Sequence, residues 1–97
     1  MSVVVIGLNH RSTPLDLLER MTIGDAALPK ALHDLISRTD VSEAVVLSTC
    51  NRTEVYARTT RFHDGIEQLR HFLADGSGID PDALAEQLYT YHDDEIP

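Results

Sequence analysis

Apolar residues along the chain fall into short runs and helically spaced clusters that predict four strands and two helical layers. Val3 to Leu8 is short, apolar and largely β-branched, as a covered strand should be. Gly7 near its end permits a close backbone approach. Asn9-His10-Arg11-Ser12 follows as a polar loop. Thr13 is placed to cap a helix that Pro14 opens, with Asp16 in the first turn and Leu15, Leu18 and Met21 on its inner stripe. Gly24-Asp25 begins a second helical segment running to about Arg38. Leu28, Leu32, Leu35 and Ile36 recur there at helical spacing, and Pro29 must fall in the first turn.

Glu43 to Thr49 contains Ala-Val-Val-Leu and reads as a buried strand. Glu54 to Thr60 alternates less cleanly and reads as its antiparallel neighbour, with Cys50-Asn51-Arg52-Thr53 turning between them. A third helix starts at His63 or Asp64, carries Ile66, Leu69, Phe72 and Leu73, and is closed by Gly76 and Gly78. Asp80-Pro81 caps a short helix with Leu84 and Leu88 inward, and Tyr89 to His92 forms a last strand. The order is β, α layer, β, β, α layer, β. It predicts an α+β, ferredoxin-like two-layer sandwich, with a four-stranded, mostly antiparallel sheet and helices on one face.

The length of 97 residues suits one domain, and 42% hydrophobic with 25% charged residues is a folded composition. The opening MSVVVIGL lacks the apolar core and basic flank of a signal peptide, and no run reaches transmembrane length. A single cysteine permits no intrachain disulfide, so a cytoplasmic location is the default expectation. The formal charge of -8 is uneven: residues 1–60 carry -1 and residues 61–97 carry -7. So acidic a second half repels a nucleic-acid backbone. Any such contact by these residues must use the first half.

The lone thiol, Cys50, sits in VVLSTCNRTEVY between two apolar stretches. A thiol is a nucleophile only as thiolate, so its neighbours must lower its pKa or supply a base. Arg52 brings positive charge and can fork onto a carboxylate, while Thr49 and Asn51 can hydrogen-bond a substrate. On spacing alone, an inert core cysteine and a surface arginine are the plainer readings. The second polar cluster at a strand end, Asn9 to Ser12, changes the balance if the sheet brings the two together, with His10 as base or electrophile. His33, His63 and His71 lie on predicted helices and read as solvent-facing; Met21, Phe62, Phe72, Tyr89 and Tyr91 read as packing. No HExxH, phosphate loop or dinucleotide fingerprint occurs.

GLNHRSTPLDLLER at 7–20 and LSTCNRTEVYA at 47–57 resemble the two N-terminal signatures of the glutamyl-tRNA reductase family, and LYTYH at 88–92 is similar to the segment that follows. The resemblance spans essentially the whole chain. It implies that residues 1–97 form the N-terminal catalytic domain of a longer enzyme whose NADPH-binding and dimerisation domains lie beyond Pro97. It implies that Cys50 attacks the α-carbonyl of glutamate esterified to tRNA(Glu), forming a thioester, and that NADPH held by another domain reduces this to glutamate-1-semialdehyde. This is the first step of the five-carbon route to tetrapyrroles. Thr49 and Arg52 would contact the glutamyl group, Arg52 through its side-chain carboxylate, with Asn51, Asn9 and His10 shaping the pocket. The resemblance also implies a homodimer, a hand-over of the aldehyde to glutamate-1-semialdehyde aminomutase, and no full reaction by these residues alone.

Two departures stand out. Leu18-Glu19 replaces the Arg-Glu common in the first signature, and the chain ends before the family's next helix, which carries another histidine. Competing readings are a non-catalytic ligand-binding or regulatory ferredoxin-like module, a thiol redox sensor, and a structural domain whose helices form an interface.

Overall fold

A computed structural model describes residues 2–11, 13–49 and 51–93. In chain order the elements are β1 (Ser2–Asn9), α1 (Leu15–Met21), α2 (Leu28–Ile36), β2 (Val41–Ser48), β3 (Arg52–Thr59), α3 (Phe62–Ser77), α4 (Pro81–Ala85) and β4 (Tyr89–His92). The strands form one sheet in the order β2-β3-β1-β4, and every neighbouring pair is antiparallel. The helices pack on one face of it, which is the expected ferredoxin-like α+β sandwich. Among the described residues, no helix is long and apolar enough to cross a membrane.

The period-2 alternation of β1 aims Val4, Ile6 and Leu8 at the helices, where they meet Val55 and Ala57 of β3 and Leu18, Leu35, Leu69 and Leu84 from above. Val3, Val5, Gly7 and Asn9 face the other way, in register with Arg58, Tyr56, Glu54 and Arg52. Val5 is nonetheless buried, because Tyr56 and Tyr91 flank it on the adjacent strands.

Several expectations shift. β2, read as a buried strand, is an edge strand with Val45 63% exposed. β3, central beside β1, is the covered strand of that hairpin, and its pattern hides behind polar letters. Thr53 and Thr59 are fully buried because each has a partner: the Thr53 hydroxyl lies 2.9 Å from that of Ser48 and donates to the Met21 carbonyl, and Thr59 donates to the Ser2 carbonyl. Thr13 does not cap α1; Pro14 holds the N-cap position with extended geometry, and Thr13 is buried. Leu15 is exposed rather than inward, leaving Leu18 and Met21 as the inner stripe of a seven-residue helix. Gly24 to Ala27 forms a turn before α2, and Ile36 is exposed. Gly76 lies inside α3, and Gly78 alone, at φ 73°, ends it. Asp80 caps α4 as expected, accepting the Ala83 N–H at 3.2 Å.

A buried polar clamp secures the end of the sheet away from the β1 and β2 C-termini. Asp40, before β2, accepts from Thr60 and Gln68, each at 2.9 Å, while its own N–H donates to Gln68. Gly65 lets α3 lie directly on β3: a methyl group there would stand 2.5–2.6 Å from Thr59 Cγ2 and Cβ. Gly76, in the same helix, faces open space. We therefore expect Gly65→Ala to lower stability by about 1–3 kcal/mol and Gly76→Ala to raise it by about 0.5–1 kcal/mol, as measured by urea unfolding.

Candidate functional site

Three strand ends converge at one edge of the sandwich: the C-terminal ends of β1 and β2 and the start of β3. Asn9 pairs directly with Arg52 across the β1–β3 ladder. Beyond the ladder, the His10 N–H donates to the Asn51 carbonyl at 2.8 Å, and His10 Nδ1 lies 3.4 Å from the same oxygen. The two polar clusters, some forty residues apart in sequence, are thus joined by backbone.

Each loop is also fixed from within. The Thr49 N–H donates to the Arg52 carbonyl at 2.8 Å, closing the β2–β3 turn. The Thr49 hydroxyl accepts from the N–H groups of Asn51 and Arg52 at 3.1 and 3.3 Å. The Asn9 side-chain oxygen accepts from the Arg11 N–H at 3.0 Å, turning the chain as it leaves β1. Asn9, His10, Arg11, Thr49, Asn51 and Arg52 together line an open cavity of about 510 Å³. Five of the six sequence candidates therefore share one cleft, joined by Arg11. The sixth, Cys50, lies outside the described residues; Thr49 and Asn51, its neighbours in the chain, both line the cavity.

The lining contains two arginines and a histidine and no carboxylate, on a chain whose net charge is -8. Such a site attracts anions. A second hollow of about 500 Å³, between α1, α2 and α3, has Met21, Ile23, Phe72 and Leu73 in its lining. It holds none of the candidate residues. His33, His63 and His71 are exposed on the helices, away from the strand-end cavity. Among the described residues no group of three or more His, Cys, Asp or Glu is arranged to hold a metal ion.

Sequence reasoning missed Glu54. It lies on the sheet face opposite the helices, directly across from Gly7, and is only 7% exposed. Tyr89 donates its hydroxyl to Oε2 at 2.6 Å, Tyr56 donates to Oε1 at 3.1 Å, and Arg52 Nε stands 3.7 Å from Oε1. A side chain at position 7 would have its Cβ 2.7 Å from the Thr53 carbonyl oxygen and 2.8 Å from Glu54 Cγ, so only glycine fits. The available signal was a glycine inside one strand and a carboxylate inside another. Tyr89, read as packing, is a hydrogen-bond donor as well. Leu18, which stands where the first signature commonly has arginine, is fully buried in the core and does not line the cavity.

This is an α+β, ferredoxin-like domain that carries a cationic, loop-built cavity at the strand ends. A family model described as "Glutamyl-tRNAGlu reductase, N-terminal domain" matches residues 6–96, and the chain belongs to that family. It is 50% identical over 93 residues to a glutamyl-tRNA reductase of Frankia alni, covering 96% of this chain and 20% of that protein. It is 43% identical over 94 residues to one from Corynebacterium diphtheriae, covering 97% and 22%. The chain thus spans about a fifth of the length of the curated relatives it matches. Among solved structures, glutamyl-tRNA reductase from Methanopyrus kandleri superposes with a TM-score of 0.64 at 24% identity, covering 96% of this chain and 19% of that one, a likeness of fold.

Burial, then the hydrogen bond to Glu54 and its negative charge, push the Tyr89 phenol well above its ordinary 10.0; Arg52 opposes them more weakly. Tyr56 is raised for the same leading reason. The folded state favours the neutral phenols, so their contribution to stability is complete below pH about 10 and is lost as pH rises through the folded values. In an NMR titration of the ring resonances, Tyr89 should ionise later than a free tyrosine. Glu54→Gln should bring its midpoint down towards 10.0.

Proposed function

We propose that this domain carries the acyl-transfer half of glutamyl-tRNA reduction, with Cys50 as nucleophile and the strand-end cavity as the glutamyl site. The supporting observation is that the loops flanking Cys50 and following β1 meet in one cationic cleft, in a chain of the reductase family. An aminoacyl ester is already activated, so a thiolate attacks it without a metal. The C–S bond forms, the ester C–O bond breaks, and the ribose hydroxyl of the tRNA leaves with a proton.

His10 is the candidate to manage that proton. If Nδ1–H donates to the Asn51 carbonyl, Nε2 carries the lone pair and can accept a proton from the thiol. Arg52 is the specificity group: its guanidinium can take the side-chain carboxylate of glutamate through two parallel hydrogen bonds. Thr49, Asn51 and Asn9 supply the remaining polar contacts around the acyl group. Arg11 adds positive charge to a cleft that must admit the 3′ end of a polyanion. The chain's -8 charge leaves wider tRNA binding to the rest of the protein.

Among the described residues, β1 and the backbone that leaves it offer no dinucleotide cradle. Gly7 is locked inside β1 against Thr53 and Glu54, and the turn leaving that strand carries no second glycine. NADPH, the hydride source for reducing a thioester to the aldehyde, is assigned to a part of the protein beyond these residues. We place residues 1–97 as the catalytic domain of a cytoplasmic, homodimeric enzyme that opens the five-carbon route to tetrapyrroles and passes glutamate-1-semialdehyde to its aminomutase.

The test is chemical. Full-length protein incubated with glutamyl-tRNA(Glu) without NADPH and then acid-quenched should carry a glutamyl group on the Cys50 peptide by mass spectrometry, and Cys50→Ser should carry none. Acylation at another residue, or none in the wild type, contradicts the assignment. Arg52→Ala should cost about 2–5 kcal/mol in kcat/KM for glutamyl-tRNA, because the substrate carboxylate is left unpaired.

A further inference from the structure

Glu54 is unusual in its setting. A carboxylate withdrawn from water is costly unless every lone-pair direction is used, yet this one is held beneath Gly7 on the sheet face away from the helices. Its two oxygens are tied at different points: Oε2 to Tyr89, and Oε1 to Tyr56 and the Arg52 Nε. A carboxylate gripped at both ends cannot rotate. Tyr89 comes from β4, Tyr56 and Glu54 from β3, so the anchor spans three strands with β1 and its glycine between.

The consequence falls on Arg52. Its side chain is half exposed and lines the strand-end cavity, but its Nε side faces the fixed carboxylate. That contact engages the base of the guanidinium. Among the described residues, its two terminal nitrogens make no hydrogen bond, so the fork that binds a carboxylate bidentately is left available.

We infer that Glu54, clamped by Tyr89 and Tyr56, is a positioning residue that presents the Arg52 fork to the side-chain carboxylate of the substrate and so sets the preference for glutamate over glutamine. The inference rests on the proposed glutamyl site. An arginine already held in its binding rotamer loses less freedom when ligand arrives. Removing the Tyr89 hydroxyl frees one end of Glu54 and lets Arg52 swing, which weakens binding of a charged side chain more than of a neutral amide.

The experiment compares kcat/KM of the full-length protein for tRNA(Glu) charged with glutamate and with glutamine, across Tyr89→Phe, Tyr56→Phe, Glu54→Gln and the double variant Tyr89→Phe/Glu54→Gln. Tyr89→Phe should narrow the glutamyl preference by about tenfold, with the loss on the glutamyl side, and Tyr56→Phe by less, its bond being the longer. The double variant should be no worse than Glu54→Gln alone, since the tyrosine acts through the carboxylate. A wild-type preference in Tyr89→Phe and Glu54→Gln, whatever their melting temperatures, overturns the positioning role. So does an additive double variant. Cys50→Ser separates the two claims. If it is inactive while Tyr89→Phe keeps the wild-type preference, only the positioning role fails. If Cys50→Ser still turns over, the underlying reading falls and the inference with it.

Discussion

The antiparallel pairing of β1 with β3 is the constraint on which the site depends. It sets Asn9 opposite Arg52 and Gly7 opposite Glu54, and its extension past the ladder ties His10 to Asn51. Because side chains alternate along a strand, a slip of one residue would send Arg52 and Glu54 into the helical core and Thr53 and Val55 out to solvent. The buried hydroxyls of Thr53 and Thr59, each bonded to a specific carbonyl, add to the cost of such a slip, on top of the apolar side chains between them. The register that closes the core is therefore the register that assembles the cleft.

The two faces of the sheet divide the work. Towards the helices, aliphatic residues meet Leu18, Leu35, Leu69 and Leu84 and supply burial. Towards the other face, the same strands present a buried carboxylate with Tyr56, Tyr89 and Arg52 gathered around it. A small domain gains little stability from a buried charge, so a group like Glu54 calls for a reason beyond folding. Its proximity to Arg52 provides one. The polar clamp around Asp40, by contrast, touches none of the cavity residues and secures the junction of β2, β3 and α3.

Much of the architecture was legible in the sequence, because four apolar stretches and the helical spacings between them admit few two-layer arrangements. The strand-end cluster was legible too, since STCNR and GLNH combine polar residues at the ends of strands. The misreadings have physical causes. β2 is richer in aliphatic residues than β3, but position in the sheet, not composition, decides burial, and β2 lies at the edge. β3 looked less regular because its buried positions include threonines whose hydroxyls are satisfied only by tertiary partners. Glu54 was invisible for the same reason. A glutamate in a strand reads as solvated until the fold brings Tyr89, 35 residues later, over its second oxygen at 2.6 Å.

The most direct measurement is a crystal structure of the full-length Cys50→Ser protein with glutamyl-tRNA bound. The account predicts both oxygens of the glutamyl side chain at roughly 2.7–2.9 Å from the terminal nitrogens of Arg52, with the Nε of that arginine still against Glu54. A glutamyl carboxylate held by other residues, with Arg52 turned out to solvent, would contradict it.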